Sequence, residues 1–143
     1  MKADTLVIDT GDDIVGVYSV GDRQFKPYRG VAIVDALARI EAATEIVTYN
    51  GNRYDLDKMA KFAQSAGVSF AFKGKHTDMC EICWSSRILG SSLENTFRTQ
   101  FKTAPPSFPD TYEGNCECDV YMTYRLWVAW KDGSLRILDG QAR

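Results

Sequence analysis

The chain has a single histidine, four prolines and no excess of either charge, and no apolar run approaches the roughly 18 residues of a membrane span. It therefore predicts no transmembrane helix, and the N-terminal stretch MKADTLVID lacks the apolar core of a signal peptide. A formal net charge of -2 gives no global basic field, so a polyanionic partner would need a local basic patch. We expect a cytoplasmic protein without a membrane partner.

Length and composition are those of an ordinary globular protein. With 143 residues, 45% of them hydrophobic, the chain is long enough to bury one sizeable core. No internal repeat or low-complexity segment divides it. We therefore predict one domain over residues 1–132 and a polar C-terminal tail over residues 133–143.

The first part of the chain has the pattern of a meander. β-branched and aromatic runs separated by Gly-Asp turns predict three antiparallel strands, at residues 5–9, 14–20 and 24–28. Pro27 favours an edge position for the third strand, because proline cannot donate a hydrogen bond to a neighbouring strand.

From residue 31 onward, helical and extended patterns alternate. Apolar residues at helical spacing predict helices at residues 31–42, 56–66, 80–89 and 119–130, and a short helix capped by Ser92. The helix over residues 56–66 should end at Gly67. Short apolar runs predict strands at residues 46–49 and 75–79. This order predicts an α/β fold: a mixed sheet of three antiparallel strands, then alternating helices and strands, with helices on both faces.

Three aspartates stand at the ends of predicted elements. Asp9 ends the first strand, Asp55 follows the fourth strand, and Asp119 opens the last long helix. If the first and fourth strands are neighbours, these acids meet at one sheet edge, where clustered carboxylates call for a cation such as Mg²⁺ or Mn²⁺. The alternative is that each acid only caps a helix or forms a turn, and spacing leaves both open.

The cysteines raise a second question. Cys80-x-x-Cys83 and Cys116-x-Cys118 supply four thiols, the number of ligands in a structural zinc site. Cys-x-Cys is a poor zinc knuckle, so we expect thiols rather than zinc. Nothing in the sequence indicates that His76 lies near a cysteine, which disfavours a cysteine nucleophile.

The segments around the acids resemble the motifs of DEDD-type 3′–5′ exonucleases of the ribonuclease-H-like superfamily, in the branch related to the proofreading domain of family-B DNA polymerases. LVIDTGDDIVGVYSV resembles the first motif, IVTYNGNRYDLDKM the second and most specific one, and NCECDVYMTYRLW the third. HTDMCEICWSSRILGSSLENTF resembles the segment between the second and third motifs. The resemblance covers most of the chain and implies a ribonuclease-H-like fold and metal-dependent hydrolysis of phosphodiester bonds in DNA or RNA.

The resemblance also implies roles for individual residues. Asp9, Asp55 and Asp119 match the catalytic acids that hold two Mg²⁺ or Mn²⁺ ions, and Thr10 and Asn50 match positions close to the substrate. The implied partner is nucleic acid, with a single-stranded 3′ end favoured. A larger replication or repair complex is a further partner that the resemblance allows.

Two positions depart from the family pattern. The glutamate that usually stands two residues after the first aspartate is Gly11. The third motif's tyrosine is Asn115, and the histidine that replaces it in some relatives would fall at Gly114. One carboxylate and the group that orients the attacking water are therefore missing from the pattern.

Other acids lie close in sequence to these two departures from the pattern. Asp12 and Glu117 are candidate substitutes, although Asp12 and its neighbour also form an ordinary turn pattern. Asp78 is expected to cap the helix that follows it, with a place beside the acids as the alternative. Two functions stay open: a metal-dependent 3′–5′ exonuclease, or a catalytically degenerate domain that binds nucleic acid or protein.

Overall fold

In the computed structural model, which describes residues 4–84 and 92–138, five strands form one mixed sheet in the order β3-β2-β1-β4-β5. The strands are β1 (Thr5–Gly11), β2 (Ile14–Ser19), β3 (Gln24–Arg29), β4 (Glu45–Thr48) and β5 (Lys75–Asp78). β1, β2 and β3 pair antiparallel, whereas β4 runs parallel to both β1 and β5. The predicted mixed sheet is confirmed, and β3 with Pro27 lies at an edge.

Helices cover both faces of this sheet, because successive side chains of a strand point to opposite sides. The helices are α1 (Ile33–Ala42), α2 (Asp55–Ala66), α3 (Met79–Cys83), α4 (Leu93–Phe101) and α5 (Tyr112–Lys131). Leu6 and Ile8 of β1 pack with α1 and α2 on one face, while Val7 packs with α3 and α5 on the other. Each of these three side chains is almost fully buried, which stabilises the fold by roughly 1.5–3 kcal/mol per residue.

Local capping signals are accurate at two helices. Gly67 ends α2 with a φ of 71°, in the left-handed region that glycine adopts most easily. Ser92 caps α4, where its Oγ accepts a hydrogen bond from the backbone N–H of Asn95 at 3.1 Å. α1 begins two residues later than predicted, after a 3-10 turn over Gly30–Ala32.

The prediction that Asp119 opens the last helix is wrong. α5 begins about two turns earlier, where the Oγ1 of Thr111 accepts a hydrogen bond from the backbone N–H of Gly114 at 2.9 Å. Gly114 and Asn115 have low helix propensity, which concealed these first turns in the sequence. Asp119 therefore lies within the helix and does not cap it.

The helix predicted over residues 80–89 ends early. α3 stops at Cys83, and Trp84 is extended and forms a parallel bridge with Leu138. Residues 85–89 of this prediction lie outside the described residues.

The described part of the segment assigned to the tail packs against the domain. The backbone N–H of Leu138 donates to the carbonyl of Cys83 at 2.7 Å, and that of Arg136 donates to Gln100 Oε1 at 3.1 Å. Residues 139–143 lie outside the described residues. Within residues 4–84 and 92–138, no helix is both long and apolar enough to cross a membrane.

We predict that a side chain at Gly16 pushes α5 away from the sheet. A Cβ atom there would stand 2.3 Å from Cys116 Sγ and 2.9 Å from Phe25 Cε1. Gly16→Ala should lower the free energy of unfolding by about 1–3 kcal/mol, measured by urea denaturation. The loss should be smaller in a Cys116→Ala background, because the nearest clashing atom is gone. An equal loss in both backgrounds would contradict the close approach.

Candidate active site

The three aspartates from the sequence motifs meet near the carboxyl end of β1. Asp9 lies on the α5 face of β1, and its carboxyl group forms a hydrogen bond with that of Asp119. Asp55 is the first residue of α2, and its charge acts on Asp9. Three different elements thus supply the three acids, and their charges influence one another.

Asp9 and Asp119 both have raised pKa values, and their carboxyl groups influence each other. Burial raises the pKa of Asp9 well above its ordinary value, and the charges of Asp119 and Asp55 raise it further. Burial also raises the pKa of Asp119; the hydrogen bond from Asp9 lowers it and the charge of Glu94 raises it. Both carboxyl groups are therefore harder to ionise than an exposed aspartate.

Asp55 is held by Thr10. Its side chain is buried, and its Oδ1 accepts a hydrogen bond from the Thr10 hydroxyl. Burial raises the pKa of Asp55 to about 6 against the opposing effect of Thr10, and the charges of Asp78 and Asp119 raise it further. Thr10, which the motif resemblance places near the substrate, thus contacts one of the acids directly.

Asn50 lies in the turn that leads from β4 to Asp55. Its backbone N–H donates to Asp78 Oδ1 at 2.7 Å, and its side chain is half-buried. The same Asp78 oxygen accepts from the backbone N–H of Cys80 at 3.0 Å, so the predicted cap of α3 is confirmed. The charge of Asp78 also acts on Asp55, which places Asp78 beside the acids as well.

The missing first-motif glutamate leaves a position that a side chain can enter with a small adjustment. Gly11 has the same orientation on β1 as Asp9, and a Cβ atom there would lie 3.0 Å from Ile14 Cγ2. Asn115 is exposed, and its Nδ2 donates to Asp110 Oδ1 at 3.5 Å.

No side chain fits at Gly114, the position that matches the alternative histidine. A Cβ atom at Gly114 would stand 2.0 Å from the carbonyl oxygen of Pro109, so the Pro-rich loop before α5 occupies the space of a side chain. Of the two candidate substitutes, Asp12 forms an ion pair with Lys58 at 3.3 Å, and its side chain is 90% exposed. Glu117 is half-buried on α5.

Sequence reasoning missed Glu94, an acid from α4 whose charge raises the pKa values of Asp119 and Cys118. Arg98 pairs with Glu94 at 2.7 Å. No local signal marks Glu94, because α4 and α5 come together only in the folded chain.

The four cysteines are free thiols. Cys83 and Cys116 are buried, Cys80 and Cys118 are half-buried, and burial raises the pKa of all four. Cys116 donates through Sγ to the backbone oxygen of Asp9 at 3.7 Å. A raised pKa keeps these groups as neutral thiols, which are weak nucleophiles and weak metal ligands.

Carboxylate oxygens are the donors that Mg²⁺ and Mn²⁺ prefer, so Asp9, Asp55 and Asp119 fit such an ion by type. In the part of the chain that the structure describes, however, no three His, Cys, Asp or Glu side chains are arranged to hold a metal ion. Asp9 and Asp119 bond to each other, and Asp55 bonds to Thr10. Binding of a cation would therefore require these carboxylates to exchange their present partners for the ion.

We predict that stability rises as the pH falls from 7 towards 4. The pKa of Asp55 is about 6 in the fold against an ordinary value of 3.8, so the folded state binds the proton more tightly than the unfolded chain. The fold therefore loses stability as the pH rises from about 4 to about 6, by up to about 3 kcal/mol from this group.

Urea denaturation at pH 5 and pH 7.5 measures this effect. Asp55→Asn should raise stability at pH 7.5 and flatten the pH profile, because the amide carries no charge. Asp57→Asn, at an exposed acid on the same helix, is the matched control. Parallel profiles for the parent and Asp55→Asn would refute the prediction.

Comparison with known proteins is consistent with this fold. A solved family B DNA polymerase from the hyperthermophilic archaeon Pyrobaculum calidifontis matches with a TM-score of 0.63 at 15% identity. The match covers 92% of this chain, which spans only 24% of the polymerase chain. No curated protein sequence matches. The sequence profile of the RNase H superfamily matches residues 9–139, and the chain belongs to that superfamily.

Proposed function

We propose that the chain is a metal-dependent nuclease that hydrolyses phosphodiester bonds of DNA or RNA as a 3′–5′ exonuclease. The observation that carries this proposal is the meeting of Asp9, Asp55 and Asp119 from three separate elements. Burial and mutual repulsion make this arrangement costly for folding, and perturbed acids of this kind are typical of functional sites. Membership of the RNase H superfamily supports a nuclease-like function in general.

Asp9, Asp55 and Asp119 would hold Mg²⁺ or Mn²⁺. When bound, such an ion activates water and stabilises the charge that develops on the phosphate. Thr10 orients the Asp55 carboxylate through its hydroxyl group. Asn50, at the start of the turn before α2, is the candidate contact to the substrate.

The substrate and partners belong to the same proposal. The motif resemblance favours a single-stranded 3′ end, and the likeness in fold to a family B DNA polymerase fits a replication or repair setting. At 15% identity this likeness concerns the fold alone. Action within a larger complex is therefore part of our proposal and is not taken from the polymerase.

A second candidate function is a degenerate domain that binds nucleic acid or protein without turnover. Specific observations favour it: Gly11 carries no carboxylate, the Gly114 position is closed, and Asn115 is exposed. The described residues also hold no preassembled three-ligand metal group.

We predict that the parent protein shortens end-labelled single-stranded DNA or RNA in Mn²⁺ to a ladder of products. Asp55→Ala and Asp119→Ala should each lower the rate at least about 100-fold, because each removes an oxygen donor from the site. Asp57→Ala, at the exposed acid paired with Lys61, should keep the parental rate.

Two outcomes would count against the nuclease. Equal activity in the parent and both site variants would identify a contaminating enzyme. An inactive, folded parent whose melting temperature does not rise with millimolar Mn²⁺ would favour the binding domain, because a ligand that binds only the folded state must stabilise it.

We further predict that Gly11→Glu raises the nuclease rate about tenfold or more, because it returns a fourth oxygen donor to the α5 face of β1. Gly11→Gln has nearly the same size and no charge, so it controls for the contact with Ile14 Cγ2. Equal rates in the glutamate and glutamine variants would show that the position does not face the reacting atoms.

A further inference from the structure

We propose that Asp78 is a positioning residue of the candidate active site: it fixes the turn over residues 49–54, which carries Asp55. The proposal rests on the nuclease function proposed above, and one arm of its test does not depend on activity. Asp78 is the last residue of β5, directly beside Thr48 of β4, so it lies at the edge of the sheet where this turn begins.

The buried Asp78 carboxylate accepts three backbone hydrogen bonds. Oδ1 accepts from the N–H groups of Asn50 at 2.7 Å and Cys80 at 3.0 Å, and Oδ2 accepts from that of Asn52 at 3.2 Å. Only 4% of the residue is exposed, so these donors replace the water that a buried charge has lost. Two of the three bonds go to the turn, and only one caps α3.

The turn has a left-handed residue and packs closely against β4. Asn50 has a φ of 66°, in the left-handed region that residues other than glycine adopt at a cost. At Gly51 a Cβ atom would stand 2.2 Å from Thr48 Oγ1, and the Gly51 N–H donates to that same oxygen at 3.1 Å. Thr48 Oγ1 is in turn 2.8 Å from His76 Nε2, so β4 and β5 both anchor the turn.

The position of the turn is transmitted to Asp55 through the start of α2. The N–H of Tyr54 donates to the carbonyl of Asn50 at 3.1 Å, and the N–H of Leu56 donates to that of Gly51 at 3.0 Å. Asp55 lies between these two bonded residues, and its carboxylate meets Thr10 on β1. A shift of the turn therefore moves Asp55 relative to Asp9 and Asp119, while Asp78 itself bonds the turn rather than Asp55.

Two substitutions separate this role from general destabilisation. Asp78→Asn can keep the acceptor at Oδ1, but it puts an N–H donor opposite the N–H of Asn52, so it disturbs the turn alone. Asp78→Ala removes all three bonds. Thr77→Val is the matched control, because it removes the hydrogen bond that the buried Thr77 donates to Glu45 Oε2 at 2.7 Å in the same pair of strands and leaves the turn untouched.

The first arm measures kcat and KM on end-labelled single-stranded DNA with Mn²⁺. We expect kcat to fall about tenfold in Asp78→Asn and about 100-fold in Asp78→Ala with little change in KM, since misplacing a reacting group by about 1 Å costs that much. Thr77→Val should keep the parental kcat. If kcat in both Asp78 variants stays within about twofold of that in Thr77→Val, the positioning role is overturned.

The second arm is independent of turnover. Amide hydrogen exchange should accelerate at Asn52 in Asp78→Asn and at both Asn50 and Asn52 in Asp78→Ala, beyond any change in Thr77→Val. A crystal structure of Asp78→Asn should show the Asp55 carboxylate displaced from the Thr10 hydroxyl. Unchanged exchange and an intact Asp55–Thr10 bond would overturn the proposal.

The two arms distinguish failure of the positioning role from failure of the nuclease function. An inactive parent in which the Asp78 variants still displace Asp55 would reject the nuclease and retain Asp78 as the anchor of the turn. An active parent with Asp55 undisturbed in these variants would retain the nuclease and reject the anchor. If Asp78→Ala does not fold, Asp78→Asn decides both arms, because it keeps the side-chain shape.

Discussion

The repulsion among Asp9, Asp55 and Asp119 at the carboxyl end of β1 is the constraint on which the site depends. Burial raises the pKa of each acid. Neighbouring charges raise it further: Asp119 and Asp55 act on Asp9, Asp78 and Asp119 act on Asp55, and Glu94 acts on Asp119. A divalent cation bound by these carboxylates would offset their repulsion. The fold therefore keeps an arrangement that weakens it at neutral pH, as functional sites often do.

Close packing brings the acids together. Because Gly16 has no side chain, Cys116 packs directly against β2. α5 therefore lies close enough to the sheet for Asp119 to contact Asp9. Asp55 arrives from the opposite side, at the first residue of α2, and the Thr10 hydroxyl ties it to β1. A glycine on one face and a hydroxyl group on the other thus set the spacing of the site.

The two departures from the exonuclease pattern differ in physical character. Gly11 lies on an open strand position where a side chain needs only a small shift of Ile14. Gly114 is covered by the carbonyl of Pro109, so no side chain can enter unless the Pro-rich loop moves. If the chain hydrolyses phosphodiester bonds, a group other than a side chain at position 114 must orient the water.

Local sequence pattern determined most of the elements. Alternation and turn residues defined β1, β2 and β3, Gly67 and Ser92 marked helix ends, and Asp78 was identified as a cap, because each of these signals acts within a few residues. The start of α5 was missed, since Gly114 and Asn115 are poor helix formers and the cap at Thr111 outweighs them locally.

Only the tertiary structure decided how the acids meet. Three kinds of interaction join groups that are distant in sequence: the contact between the Asp9 and Asp119 carboxyl groups, the effect of Glu94 on Asp119, and the two hydrogen bonds that Asp78 accepts from the turn before α2. The motifs identified the three aspartates, but the distances between them depend on how closely α2 and α5 pack against β1. Sequence spacing cannot encode that closeness, because it depends on the volumes of residues such as Gly16 and Cys116 on different elements.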